Sequence, residues 1–154
     1  MVNVVQSTYA ENMDPAREGM LHGTDYNTKA RTCETAAGIG FGRACSQGAA
    51  DRGAILGGTS EGFQGISVRD ITLESAQGDE YAQYQGMSLM DRGEIWVKPS
   101  HSVAPSDQVY FVPATGVLTN QSSGNEIVNG AEWRSTAEAN ALALVYLSGF
   151  AHSA

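Results

Sequence analysis

The residues that could carry out chemistry are few and are scattered along this chain of 154 residues. Residues 58–62 read G-x-S-x-G, whose serine is a nucleophile only on a sharp turn between a strand and a helix. Asp107 and His152 follow Ser60 in the order of a hydrolase triad, but residues 63–68 have the pattern of a strand. The structural context of a nucleophile is missing, so we predict no catalytic residue and no enzyme activity.

The remaining chemistry-bearing side chains do not form a pattern typical of a metal or cofactor site. His22, His101 and His152 are far apart and contain no i, i+4 pair. Residues 38–42 read G-x-G-x-G, but the final spacing and the following helix of a dinucleotide loop are absent. We interpret them as a strand with one bare face, against which another segment packs closely. We therefore predict no metal and no cofactor.

Charge and composition exclude several classes of partner. The chain has 9 basic and 17 acidic residues, for a formal charge of -8 and a pI near 4.7. This charge opposes binding to nucleic acid and to anionic membranes. No stretch approaches the roughly 20 apolar residues of a membrane span, and the N-terminus has no secretion signal, so we expect a cytosolic chain. In that compartment, Cys33 and Cys45 are expected to stay unbridged.

The elements that position these residues read as short strands, most clearly over residues 87–112. Ile95 and Val97 alternate with polar neighbours, which predicts a strand whose outward residue is Trp96. Gly93 predicts a hairpin turn at residues 91–93. Residues 104–107 predict a second turn before another strand.

The other segments indicate the same all-β class. We expect a glycine-rich loop at residues 50–62, a strand at 63–73 with a bend near Asp70, and a hairpin at residues 129–130. Residues 137–147 are compatible with a helix or a strand, and we favour a closing central strand, apolar on both faces. Together these predict a small β-sandwich or partly open β-barrel.

The first residues of the chain lack a regular period. We predict an extended N-terminal arm at residues 1–27, a β domain at 28–150 and a tail at 151–154. The arm either reaches a neighbouring molecule or folds back over its own sheet as an edge strand. Its apolar side chains, its arginine and the outward tryptophan give the candidate partner-binding residues Tyr9, Met13, Arg17, Met20, Leu21 and Trp96.

A resemblance to a known family depends on the order of residues 9–20, 38–42, 63–67, 92–97, 103–110 and 139–145. With these segments in this order, the chain resembles the structural cement, or head decoration, proteins of tailed bacteriophages, the Gp24-like cement proteins. The resemblance implies a β-rich domain that binds the outer surface of an icosahedral head and ties neighbouring major capsid proteins together, without a cofactor. It also implies synthesis in the host cytoplasm and a homotrimer in preference to a dimer. The similarity covers nearly the whole chain.

An alternative function is a carbohydrate- or receptor-binding module displayed on the virion. Trp96 and Trp133 would then form an aromatic platform for a sugar, although aromatic residues on strands more often fill a core or an interface. We place Trp96 in the folded core region or at a subunit interface.

Overall fold

The computed structural model describes residues 17–73 and 80–149. Within these ranges the chain forms strands and turns, one short 3-10 helix at Ile71–Leu73 and no α-helix. The strands are β1 Leu21–Cys33, β2 Ile39–Gly40, β3 Ala44–Gln47, β4 Gly53–Leu56, β5 Phe63–Ser67, β6 Glu80–Tyr81, β7 Gly86–Val97, β8 Gln108–Phe111, β9 Leu118–Thr119, β10 Glu126–Trp133 and β11 Ala143–Leu147.

Nine strands form one curled sheet in the order β1-β4-β3-β5-β7-β11-β10-β8-β9, and β2 pairs with β6 separately. Because β1 also pairs with β7, the strands β1, β4, β3, β5 and β7 form a closed ring of hydrogen-bonded neighbours. The other half of the sheet stays open. The prediction of an all-β, partly open barrel or sandwich is confirmed.

The long strand β7 joins the two halves of the sheet. One edge of β7 pairs with β1, and the other pairs first with β5 and then with β11. The hairpin predicted at residues 91–93 is wrong, because β7 runs through them. Gly93 does have a positive φ of 121°, but it faces a bulge of β1 between His22 and Asn27. A Cβ at Gly93 would lie 2.6 Å from the Cβ of Tyr26, so the glycine allows β1 to approach.

Two further predicted turns or loops are corrected. The hairpin at residues 129–130 is absent because β10 continues through it, and Gly130, with φ 73°, lies in a register shift between Ile127 and Glu132. The loop predicted at residues 50–62 contains the strand β4, which pairs with β3. In β10 the glycine occupies a bulge within a continuous strand, whereas in residues 50–62 Gly53 begins β4 and Gly57 follows its last residue.

Three other predictions are confirmed at least in part. The last segment is a strand over Ala143–Leu147, and it lies between β7 and β10, as a central strand should. The chain bends after β5, and Asp70 caps the 3-10 turn through the N–H of Thr72 at 2.9 Å. Residues 38–42 contribute only a two-residue strand, but a Cβ at Gly38 would lie 2.7 Å from the carbonyl oxygen of Tyr81, so the expected close packing is present.

Two hydrophobic clusters fill the curled sheet. The larger one surrounds Trp133, which is fully buried, and includes Ile95 and Val97 of β7. The smaller one includes Met87 and Leu89, also from β7. The strand β7 therefore contributes side chains to both clusters and connects them through its backbone.

Candidate functional site

The chain enters the described domain through a tight turn at residues 17–20. The N–H of Met20 donates to the carbonyl of Arg17 at 3.1 Å, and Gly19 has a positive φ of 85°. A Cβ at Gly19 would lie 2.7 Å from the Cβ of Phe41, so only glycine fits without a shift. The glycine at position 19 therefore allows this turn to pack closely against the domain.

Backbone hydrogen bonds clamp the turn from two sides. The N–H of Gly19 donates to the carbonyl of Trp96 at 2.7 Å, and the N–H of Trp96 donates to the carbonyl of Met20 at 3.0 Å. Arg69 holds the opposite side, since its N–H donates to the carbonyl of Gly19 at 2.7 Å and its Nε to that of Glu18 at 2.8 Å. These bonds hold the turn at residues 17–20 in a fixed position against the domain.

Four of the predicted partner-binding residues meet at this point, which we call the N-terminal junction: Arg17, Met20, Leu21 and Trp96. Arg17 is exposed, Met20 keeps 38% of its surface exposed, and Leu21 packs against the larger core cluster. The other two predicted residues, Tyr9 and Met13, lie outside the described residues. The side chains at the junction offer a small mixed apolar and basic surface.

Trp96 is half-buried on the outward face of β7, as its alternation with Ile95 and Val97 predicts. Its indole meets the ring of His22 edge to face, with 5.6 Å between ring centroids. Leu144 of β11 stands directly opposite Trp96 in the strand pairing. Trp133, by contrast, is completely buried, so the two tryptophans do not form an exposed sugar platform.

The outward face continues from Trp96 onto β11 and β10, where sequence reasoning missed two residues. The guanidinium of Arg134 lies 4.0 Å from the ring centroid of Tyr146 and pairs with Glu132 at 2.5 Å. Tyr146 is half-buried, whereas its strand neighbours are buried. The strand alternation could have identified Tyr146 as outward-facing, but the position of Arg134 depends on the register of β10 with β11.

Strand β1 begins at Leu21, inside the arm predicted at residues 1–27. Leu21 pairs with Ile95 and His22 with Glu94, so residues 21–27 belong to the sheet, with a bulge in the middle. The boundary expected at residue 28 therefore does not coincide with a structural boundary. An arm made of the residues that precede the junction remains a prediction, because residues 1–16 lie outside the described residues.

The residues considered for catalysis are engaged elsewhere. The hydroxyl of Ser60 donates to the carbonyl of Ile127 at 2.6 Å. Asp107 accepts from the N–H of Ala104 and from the amide of Asn120, at 3.0 and 2.9 Å. His152 is outside the described residues, so the predicted absence of a triad is not tested there.

The described ranges also contain no group of three or more His, Cys, Asp or Glu residues placed to hold a metal ion. Cys33 and Cys45 are both buried and unbridged, as expected. Burial raises the pKa of each thiol above its ordinary value, which keeps both protonated. No helix in residues 17–73 and 80–149 is long and apolar enough to cross a membrane.

Comparison with known proteins decides the family. A family profile described as structural cement protein (E217 gp24/Pam3 gp6) matches residues 5–148. The chain belongs to this family of phage cement proteins. Its role is therefore structural and stabilises the capsid, and its place is in the virion. The predicted resemblance is confirmed.

Two solved structures share the fold of this cement protein. A chain in the capsid of Myoviridae phage XM1 superposes with a TM-score of 0.76 at 18% identity, covering 97% of this chain and all of that one. The head fiber gp8.5 N base of bacteriophage phi29 gives a TM-score of 0.50 at 7% identity, covering 82% of this chain and all of that one. No curated protein sequence matches the chain.

Proposed function

We propose that this cement protein binds the outer surface of the capsid and fastens neighbouring major capsid proteins through its N-terminal junction. The observation that carries the proposal is the clamped turn at residues 17–20. It anchors the preceding segment to the domain beside exposed Met20 and half-buried Trp96. A contact that this segment makes with a neighbouring subunit is therefore connected, through the clamped turn, to the folded domain.

The anchored segment supplies the contacts to neighbouring subunits. Tyr9 and Met13 provide apolar surface, and Met20 continues it at the junction beside the core-packed Leu21. Arg17 is exposed at the start of the turn and is the polar anchor of this segment, since a guanidinium recognises a carboxylate through a bidentate pair.

The protein acts as a homotrimer without enzymatic activity, and it is assembled onto heads after synthesis in the host cytoplasm. A trimer multiplies the contacts that each particle makes with the lattice, so that modest single-site affinities combine into high occupancy. The formal charge of -8 opposes nucleic acid and anionic membranes as partners.

Binding to purified heads tests the proposal. Undecorated heads are mixed with the protein, sedimented, and scored for bound copies and for resistance to heat. Met20→Glu is expected to weaken binding about tenfold or more, because a carboxylate desolvated at an apolar contact costs more than the 1.4 kcal/mol of a tenfold change. Ser123→Glu adds the same charge at an exposed loop position and serves as the matched control.

Deleting residues 2–16 is the second arm of this test. The truncated protein should keep its β spectrum, because the clamped turn and Leu21 remain, but it should no longer protect heads. Head occupancy by the truncated and Met20→Glu proteins equal to that of the unmodified protein would refute the assignment of the grip to the junction.

A further inference from the structure

Strand β1 has one edge that is not paired in the described structure. It pairs with β7 from Leu21 to Thr32 but with β4 only at Thr32 and Cys33. Among the described residues no strand lies against the second edge between Leu21 and Arg31. An exposed edge of this length is a template for pairing with another chain.

The hydrogen bonds at the end of β1 show which groups stand open. The N–H of Thr32 donates at 2.8 Å to the carbonyl of Arg52, the residue that precedes β4, whereas that of Cys33 donates at 2.9 Å to the residue that precedes β7. Backbone groups alternate between the two edges of a strand, and the pairing with β7 is regular from Thr28 to Thr32. The N–H and C=O groups of Thr28 and Ala30 therefore point to the unpaired edge.

Arg31 covers part of this edge. Its Nη1 donates to the carbonyl of Ala30 at 2.8 Å, in the place that the N–H of an incoming strand would take. The Nε of Arg31 is buried and has no hydrogen-bond partner within the described ranges. Because one donor of this guanidinium is already unsatisfied, an incoming strand that displaces Arg31 from the edge does not break a complete set of hydrogen bonds.

A groove lies where β1 and β4 separate at the end of this edge. It has a volume of about 410 Å³, and its lining includes Thr32, Glu34, Arg52, Gln83 and Tyr84. Tyr84 is 76% exposed and holds a positive φ of 69°, an uncommon backbone conformation for an aromatic residue. The groove is large enough for an aromatic side chain.

We propose that the free edge of β1 accepts residues 2–9 of a second copy of this chain as an added strand, with Tyr9 in the groove. The inference rests on the proposed function and deepens it by naming the contact that joins the subunits. Residues 2–8 read VNVVQST, rich in β-branched residues that favour strands. Backbone pairing supplies affinity and the groove supplies specificity, as in other cases of strand addition.

Charge and reach support this occupant. Residues 2–9 carry no charged side chain, and the linker at residues 10–16 contains Glu11 and Asp14 but no lysine or arginine, while the acceptor region carries Lys29, Arg31 and Arg52 beside one acidic residue, Glu34. With residues 2–9 paired, the seven residues 10–16 link Tyr9 to the junction, and when extended they span about 23 Å, which sets how far the arm reaches to a neighbouring domain. Passing such an arm from each subunit to the next is a head-to-tail contact, which closes into a ring such as the proposed trimer.

The turn at residues 17–20 disfavours the same pairing within one chain. A two-residue hairpin that matches the strand twist needs a positive φ at its first central residue. Here that residue is Glu18, whose φ is not positive, and only Gly19 is. The segment before Arg17 is therefore not directed back along its own β1 by a favoured hairpin turn.

The test combines molar mass with amide protection in the full-length protein without heads. Ala30→Pro removes one N–H of the free edge and none of the hydrogen bonds to β7, and Ala30→Ser is the matched control. Tyr9→Ala removes the proposed groove side chain from outside the described domain. The unmodified protein and Ala30→Ser should be trimers by light scattering, whereas Ala30→Pro and Tyr9→Ala should be monomers with an unchanged β spectrum.

Hydrogen exchange then identifies the occupant. In the trimer the amides of Thr28 and Ala30 should be protected, and this protection should fall on dilution together with the mass. A monomer whose two amides are protected at every concentration would place the chain's own arm on β1 and overturn the proposal. A parent that is monomeric throughout with both amides exchanging freely, or an Ala30→Pro protein that folds and stays trimeric, would also overturn it. Because heads are absent, these results are independent of capsid binding by the junction.

Discussion

Replacing Trp133 by alanine is expected to destabilise the protein far more than replacing Trp96 by alanine. Trp133 is completely buried in the larger cluster, and its Nε1 donates to the carbonyl of Thr119 at 3.4 Å. Truncating a fully buried tryptophan costs about 3 to 5 kcal/mol, through lost transfer energy and the cavity left behind. For a chain of this size, that lowers the melting temperature by about 10 to 15 °C.

Trp96 loses much less on truncation because its indole is only half-buried. The edge contact with His22 contributes about 0.5 to 1 kcal/mol beyond area burial, so we expect a total cost of about 1 to 2 kcal/mol for Trp96→Ala. The melting temperature should then fall by about 3 to 6 °C.

Thermal unfolding of both variants, followed by circular dichroism, measures the difference directly. Trp96→Phe, which keeps an aromatic ring at the same outward position, is the control. Equal losses for Trp96→Ala and Trp133→Ala would refute the assignment of one tryptophan to the surface and the other to the core. If Trp96→Ala also reduced head binding by more than its small stability loss explains, the indole would belong to the proposed junction.

Two other expectations follow from the backbone and from the buried ionisable groups. Gly19→Ala should lower the free energy of unfolding by about 1 to 3 kcal/mol, because φ is positive there and neighbouring atoms leave no room for a Cβ. Gly124→Ala is the control, since φ is also positive but the space is open, and it should lower the free energy of unfolding by about 1 kcal/mol. Urea unfolding measures both. Burial raises the pKa of Cys33 and Cys45, and raises that of Tyr81 to about 12, so the unfolded chain ionises before the folded one. The stability these groups contribute is complete below the unfolded thiol pKa of about 8.5 and falls as pH rises above it. A melting temperature that is constant from pH 8 to pH 11, or thiols that react with a labelling reagent in the folded protein at pH 8, would contradict this.

Much of the fold follows from the alternation of apolar residues. Ile95 and Val97 are buried and Trp96 faces outward, as the period of two predicts. Residues 108–111 form the strand expected after the turn at 104–107, in which the N–H of Asp107 donates to the carbonyl of Ala104 at 3.1 Å. These elements were accessible because their pattern depends only on which face is buried.

The long strands could not be predicted from glycine alone. A positive φ at Gly93 and Gly130 is consistent with a hairpin turn and equally with a bulge in a continuous strand. The choice depends on the partner strand: β1 packs against Gly93, and β8 and β11 pair on either side of β10. Such partners are distant in sequence, so local turn chemistry cannot reveal them.

The sequence predicts several residues of the candidate site but not the contacts that hold them together. Arg17, Met20, Leu21 and Trp96 are predicted from the sequence as partner-binding residues, and the structure brings them together, with Leu21 packed against the core. The clamp by Arg69 was missed, because it depends on a segment some fifty residues away that bonds to the turn through the backbone. Every residue has a backbone carbonyl, so the residue types at positions 18 and 19 do not indicate which distant side chain bonds to them.

The distribution of exposed apolar side chains explains why a small cement domain needs several contacts. Among residues 17–73 and 80–149, the exposed large hydrophobic residues are Met20, Tyr26, Ile71 and Tyr84. Met20 and Tyr84 belong to different regions, the junction at the start of β1 and the groove at its end, so no single large apolar patch is available for a tight interface. Strong attachment to a head must then come from the combination of weak sites. Linked sites multiply their affinities only while the subunits stay joined, so a change that dissociates the oligomer should weaken head binding even where the junction is intact.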